Sequence, residues 1–341
     1  MALRELSREA KSRCMPLLDL PAPSRSVDRA SAIGYTQRNI GRLRGALQNF
    51  TGVFVDSSEL DPTLRLHGGE HPLLSAARAA AESDALPIPV TGLHRDTAHM
   101  GAALVVREEL ADNLICVRLD ATDVSTATLT HRRLRSFLAE NSVSAAETFI
   151  LIDLKSLFRQ DPEPFVSMIT RFLSQLGPNE WRAIVVGGYG IPDEISEAVA
   201  VREQGYVPRV EQVIFESITR RHPLHNLWFA DYTTLSPSHT ELDWRVMSRV
   251  MSPKAIYTLD DSWFIVRGGP FSTHEDGFDQ YYDLAAEIVA LEEFAGATFS
   301  FGDRYIEERS RRIPKAGNPS SWIKACVNHH IAFTSLAHAG E

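Results

Sequence analysis

At 341 residues, with 44% hydrophobic and 23% charged side chains, the chain has a globular composition and is long enough for an α/β barrel of about 250 residues with additions. No stretch approaches the roughly 20 consecutive apolar residues that would span a bilayer, so no membrane role is expected. A net charge of −9 argues against general nucleic-acid binding, which needs a basic face to release phosphate counterions.

The chain opens with MALRELSREAKSR, which reads as a short charged helix without the apolar segment of a secretory leader, so a cytoplasmic location is expected. Cys14, Cys116 and Cys326 are odd in number and far apart. That spacing suits buried thiols better than a disulfide framework or a zinc site.

Short apolar runs then recur at 14–20, 53–56, 87–93, 114–120, 148–154, 181–188, 226–232 and 254–269. Between and after them lie helix-like patterns at about 27–49, 72–84, 96–112, 128–141, 162–176, 209–220, 241–251 and 278–294. Local signals support these boundaries. Asp161 and Pro162 supply an N-cap and a first-turn proline, and Gly177-Pro178 ends the same helix. Runs such as FILIDL and AIVVGG are apolar without alternation, as strands of a parallel sheet covered on both faces should be.

Eight alternating β and α units predict a (β/α)8 TIM-like barrel over residues 1–295. The alternative is an open doubly wound sheet, but no Gly-x-Gly-x-x-Gly turn follows the first strand. The eighth unit, AIYTLDDSWFIVRGG, also reads as a two-stranded hairpin turning at Asp260-Asp261. Residues 296–341 are too short for a core of their own and are expected to form a cap on the barrel, with a helix at about 319–337.

Barrel enzymes place reacting groups at the C-terminal ends of strands. Here those ends carry Asp19, Asp56, Arg118, Asp120, Asp153, Lys155, Asp231 and Arg267, with His94, Arg95 and Asp96 after the third run. Some of these acids would serve only as helix caps. Converging carboxylates repel, so the ring must bind a cation, share protons or pair with Arg118, Lys155 and Arg267. Asp19, Asp153, Lys155 and Asp231 are the candidate catalytic groups. Asp19, Asp56, Asp153 and Asp231 would also offer the oxygen ligands that suit Mg²⁺. A phosphate-containing ligand would draw on Arg118, Lys155 or Arg267, with the GGYG stretch at 187–190 presenting backbone amides. Neither a Gly-x-Ser-x-Gly elbow nor a recognisable Cys–His nucleophile pair is apparent.

Seven stretches together resemble the bacterial and phage Beta protein family, named for a protein of a satellite-phage locus: PLLDLP at 16–21, VTGLHRD at 90–96, LICVRLD at 114–120, ILIDL at 150–154, SPKAIYTLDDSWFIVRGG at 252–269, FSFGDRYI at 299–306 and GNPSSWIKACVNHH at 317–330. The resemblance implies a place in toxin-antagonist or phage-defence modules and a protein partner encoded nearby. It carries over no functional residue. Its motifs single out Tyr257, Thr258, Asp261, Trp263, Arg267, Asp303, Asn318, Trp322, His329 and His330. Tyr257, Arg267 and His330 thus join Arg118 and Asp120 as candidate ligand-binding residues, while Trp263 and Trp322 suit the packing of a cap. Two functions remain open at this point: a partner-binding defence protein, and an enzyme or sensor for a phosphate-containing ligand.

Overall fold

The computed structural model describes residues 2–24, 27–236 and 251–337, and these divide into two compact units. One comprises residues 14–188 and 210–231; the other comprises 1–13, 189–209 and 232–341.

In the first unit the apolar runs become parallel strands: β1 (Leu17–Asp19), β2 (Gly52–Asp56), β3 (Leu86–Thr91), β4 (Ile115–Asp120), β5 (Thr148–Ser156), β6 (Ala183–Tyr189) and β8 (Leu227–Asp231). They hydrogen-bond in the order β1-β2-β3-β4-β5-β6-β8 and curl into a half-barrel flanked by helices. The α/β class is as expected, but among the described residues the parallel sheet has seven strands rather than a closed ring of eight.

The connecting helices begin where the local chemistry says they should. Asp161 accepts from Glu163 N–H to open α7 (Pro162–Leu176), and Gly177, at φ 66°, closes it in the left-handed conformation that glycine adopts without steric cost. Asp96 accepts from both Ala98 and His99 N–H to open α4 (Thr97–Leu110). His71 caps α3 (Pro72–Ala81) through its ring Nδ1, which accepts from Leu73 N–H. Inside the curl, Leu17, Phe54, Ile88, Val90, Cys116, Phe149, Leu151, Ala183 and Val185 form one apolar layer. Phe54 and Phe149 meet edge to face, with ring centroids 5.1 Å apart.

The second unit explains the missing eighth strand. The segment expected to close the barrel is a hairpin of β9 (Lys254–Thr258) and β10 (Ser262–Arg267), with Asp260 and Asp261 at its turn. So short a connection cannot join parallel strands, which need a crossover of a dozen or more residues. The hairpin pairs instead with β7 (Gln204–Pro208), giving an antiparallel sheet in the order β7-β10-β9. β7 escapes sequence reading because Val207 is its one buried side chain, so it shows no apolar run.

Helices α9 (Gln280–Val289), α10 (Phe301–Ser310) and α11 (Pro319–Ala337) complete this unit's core with Tyr257, Phe264, Tyr281, Tyr305, Ile306, Trp322 and Cys326. Tyr281 and Trp322 stack with centroids 4.8 Å apart. The N-terminal segment, with α1 (Arg8–Ser12), docks on α11 through Glu5 to Lys324 at 2.8 Å. The helix expected at 241–251 lies outside the described residues.

Candidate functional site

Strand alternation places the first cluster. Asp19, Asp56, Arg118 and Asp153 each stand two residues beyond a member of the inner apolar layer, namely Leu17, Phe54, Cys116 and Leu151. Side chains two apart share a face, so all four point into the curl at the carboxyl ends of their strands. Register helps as well, since Asp19 lies directly beside Asp56 on the adjacent strand.

Arg118 is the hub. Its Nε donates to Asp153 Oδ2 at 2.9 Å, and one terminal nitrogen donates to both Asp19 Oδ1 at 2.7 Å and Asp56 Oδ2 at 2.9 Å. Lys155 Nζ lies 3.2 Å from Asp153 and Arg95 donates to Asp56 at 3.1 Å, so three carboxylates face three cations. This balance is how carboxylates of which Asp56 and Asp153 are almost wholly buried coexist. The guanidinium stands where the carboxylates converge, the position considered above for Mg²⁺. Among the described residues no group of three or more His, Cys, Asp or Glu side chains is arranged to hold a metal ion.

Lys155 adopts φ 55°, which is uncommon outside glycine, and its backbone N–H donates to Asp153 Oδ1 at 3.0 Å. That turn brings the ammonium back over the carboxylate.

The other expected residues fall elsewhere. Asp231 ends β8 in phase with Phe229, whose ring packs on Phe215 of α8 (Val210–Arg221), so it lies on the opposite face of the sheet from the cluster. Asp120 caps a short helix, accepting from Asp123 N–H at 2.8 Å. Gly187 and Gly188 are buried inside β6 rather than displayed on a loop, and a Cβ on Gly188 would meet Leu157 Cδ1 at 2.3 Å.

Arg267, Tyr257 and His330 belong to the second unit and serve its interior. Arg267 donates to Ser252 Oγ and to the Val199 carbonyl, at 2.9 and 3.0 Å. Tyr257 donates to Asp303 Oδ1 at 2.6 Å, and His329 bridges Asp303 Oδ2 and the Thr258 carbonyl, both at 3.0 Å. His330 lies 3.0 Å from Thr258 Oγ1 and stacks on Trp263. Burial alone would raise the Asp303 pKa, but hydrogen bonds from His329, Ser300 and Tyr257 and the nearby imidazole bring it below the ordinary aspartate value.

The cysteines are free thiols. Burial pushes the Cys116 thiol pKa strongly upward and that of Cys326 up to about 11, so both are unreactive.

Beside the Arg118 cluster, at the carboxyl ends of β2 and β3, lies a polar pocket of about 220 Å³. Its lining includes Ser57, His71, His94, Arg95, Asp96 and His99. Arg95 is the link between the two features. One of its terminal nitrogens binds Asp56, while its Nε and other terminal nitrogen have no protein acceptor among the described residues. Burial lowers His71 to a pKa of about 4 and lowers His99 as well, so both rings are neutral at physiological pH. Sequence reasoning misses Ser57, His71 and His99 because no spacing joins them. The one local signal is a polar residue directly after each strand, in VDSS at 55–58 and HRDTAH at 94–99.

The chain is thus an α/β protein whose parallel sheet forms a half-barrel, with a neutralised charge cluster and an adjoining pocket at the carboxyl edge, the edge at which such sheets commonly bind ligands. More particularly, the chain belongs to the Beta protein family, whose model matches residues 1–335. No curated protein matches it. No helix among the described residues is long and apolar enough to cross a membrane.

Proposed function

We propose that this Beta-family protein binds a small anionic ligand, with a phosphate or carboxylate group, in the pocket between β2, α3 and α4. The observation that carries this reading is Arg95, a cation that donates to Asp56 through one terminal nitrogen and lines a polar pocket. Asp56, itself held by Arg118, fixes the guanidinium, so binding requires little ordering of the side chain. Lys155 and Arg118 belong to the supporting network that fixes this cation, and the carboxylates of Asp19 and Asp153 hold that network together.

Titration of the full chain with inorganic phosphate, mononucleotides and small dicarboxylates, read by calorimetry, tests the reading. A binder is expected in that panel, and Arg95→Ala should weaken it roughly 10- to 100-fold, the worth of a charge-assisted hydrogen bond. Absence of binding across the panel, or binding indifferent to Arg95→Ala, overturns it.

Membership of the family favours a second element, that the protein works in a toxin-antagonist or phage-defence module with a protein encoded nearby. Co-purification with the neighbouring gene's product is the expected result. Protection from phage or toxin by the protein expressed alone would count against a partner. Loss of protection in Arg95→Ala would tie the pocket to the biology.

A further inference from the structure

The same pocket contains a pairing that anion binding does not use. Ser57 follows β2 directly and His99 sits in the first turn of α4, both buried and both lining the pocket. Ser57 Oγ lies 3.3 Å from His99 Nδ1, and His99 Nε2 lies 3.0 Å from the Val90 carbonyl oxygen. A carbonyl only accepts, so in the neutral ring the hydrogen sits on Nε2 and Nδ1 is left as an acceptor facing the hydroxyl. This is the tautomer a general base requires, and the Val90 carbonyl does the orienting that a carboxylate does in serine hydrolases.

A third group completes the arrangement. His71 lines the pocket with its ring 5.8 Å from that of His99, edge to face. Its Nδ1 accepts from Leu73 N–H at 3.2 Å, which places its own hydrogen on Nε2 as a donor. Arg95 supplies a fixed positive charge at the same wall.

We propose that Ser57 and His99 are the nucleophile and general base of an acyl-transfer site for small carboxylic esters, the anionic end of the ester being held by Arg95. This rests on the pocket reading above for its substrate class, but the dyad is separable from it. In the first step Ser57 Oγ forms a bond to the ester carbonyl carbon while its proton passes to His99 Nδ1. The carbonyl π pair moves onto oxygen, where His71 Nε2–H and Arg95 are the available donors. The oxyanion then collapses, the bond to the leaving alkoxide breaks, and His99 returns the proton to that oxygen. Water repeats the sequence on the acyl-serine, with His99 taking its proton and handing it to the departing Ser57 Oγ. Burial favours the neutral imidazole, so the base form is present across the neutral range.

The full-length protein is treated with a fluorophosphonate probe, and the labelled peptide is identified by mass spectrometry. Label is expected on Ser57, absent in Ser57→Ala and slowed by roughly 10²- to 10⁴-fold in His99→Gln, the usual contribution of a positioned base. The labelling rate should rise only at acidic pH and be flat from neutrality upward. A folded wild-type chain that stays unlabelled while a serine esterase in the same tube reacts overturns the proposal, as does a rate indifferent to His99→Gln.

Ser57→Cys keeps the test open should the alanine variant not fold. Its new thiol should be alkylated faster with His99 present than in the Ser57→Cys/His99→Gln double variant, and equal rates count against the dyad. Ser57→Ala that binds anions but takes no label separates the two readings. A wild-type chain that binds anions but takes no label sinks the dyad alone, and a wild-type chain that is labelled but binds no anion sinks the anion site alone.

Discussion

Replacing Arg118 by methionine removes the hub of the strand-edge network while keeping most of the side-chain volume. Arg118 is 6% exposed and contacts Asp56 at 0% and Asp153 at 4%, besides the more accessible Asp19. Removing one partner of a buried ion pair costs about 3–5 kcal/mol, because the remaining charge is left without compensation. Asp56 retains Arg95 and Asp153 retains Lys155, which places the expected loss near the lower end, about 3 kcal/mol. Urea unfolding followed by circular dichroism should show a lowered midpoint with an unchanged slope. Adding Asp56→Asn and Asp153→Asn to Arg118→Met should recover part of the loss, since the two buried charges are then gone and only the more accessible Asp19 remains. A single variant within about 1 kcal/mol of wild type, or a triple variant no better than the single, would refute the idea that Arg118 is what permits these carboxylates to be buried together.

Three further outcomes follow from other contacts. Asp303 has a folded pKa below its unfolded value of about 3.9, so its contribution is full above that pH and is lost as pH falls through the folded value. Asp303→Asn should therefore flatten the fall in urea stability as the pH drops below about 4, while lowering stability at neutral pH by about 3 kcal/mol. A Cβ on Gly302 would lie 2.2 Å from the Ala325 carbonyl oxygen and 2.8 Å from His329 N, so Gly302→Ala must push α10 and α11 apart. A loss of about 1–3 kcal/mol is expected by thermal melting, and an unchanged melt would contradict the close approach. Asp96→Ala removes the cap whose carboxylate accepts from His99 N–H. About 1 kcal/mol of stability should go with it, together with slower labelling of Ser57, because the cap also anchors the turn that carries the base.

Elements with local causes are legible in the amino-acid sequence. The N-cap and first-turn proline at Asp161-Pro162, the closing Gly177 and the helix over 319–337 depend on neighbours within a turn, so their boundaries agree closely with the folded chain. The helix over 301–310 is harder to read because its signal is weaker, a Ser300 cap followed by a mixed polar segment. The charged strand ends at Asp19, Asp56, Arg118 and Asp153 are visible too, since each closes an apolar run, and period-two alternation puts them on one face. The same alternation, counted along β8, sets Asp231 out of phase with them.

What the linear order could not decide is who meets whom. Whether residues 254–269 would add an eighth parallel strand or fold back as a hairpin depended on a free edge at β7, a strand with almost no apolar pattern of its own. The motifs GDRYI and ACVNHH build an interior around Asp303, His329 and Trp322, a role set by helices packing together. Ser57 meets His99 across 42 positions because adjacent strands bring a loop and the start of a helix side by side, and no local rule encodes that approach. By itself the sequence determined the strands with an apolar run and the helices with a cap or stop of their own, and which residues ended them, because those choices rest on the backbone's nearest neighbours. Only the tertiary structure decided that three aspartates would share one arginine and that a serine would face a histidine, because such pairings are made by strand order and register.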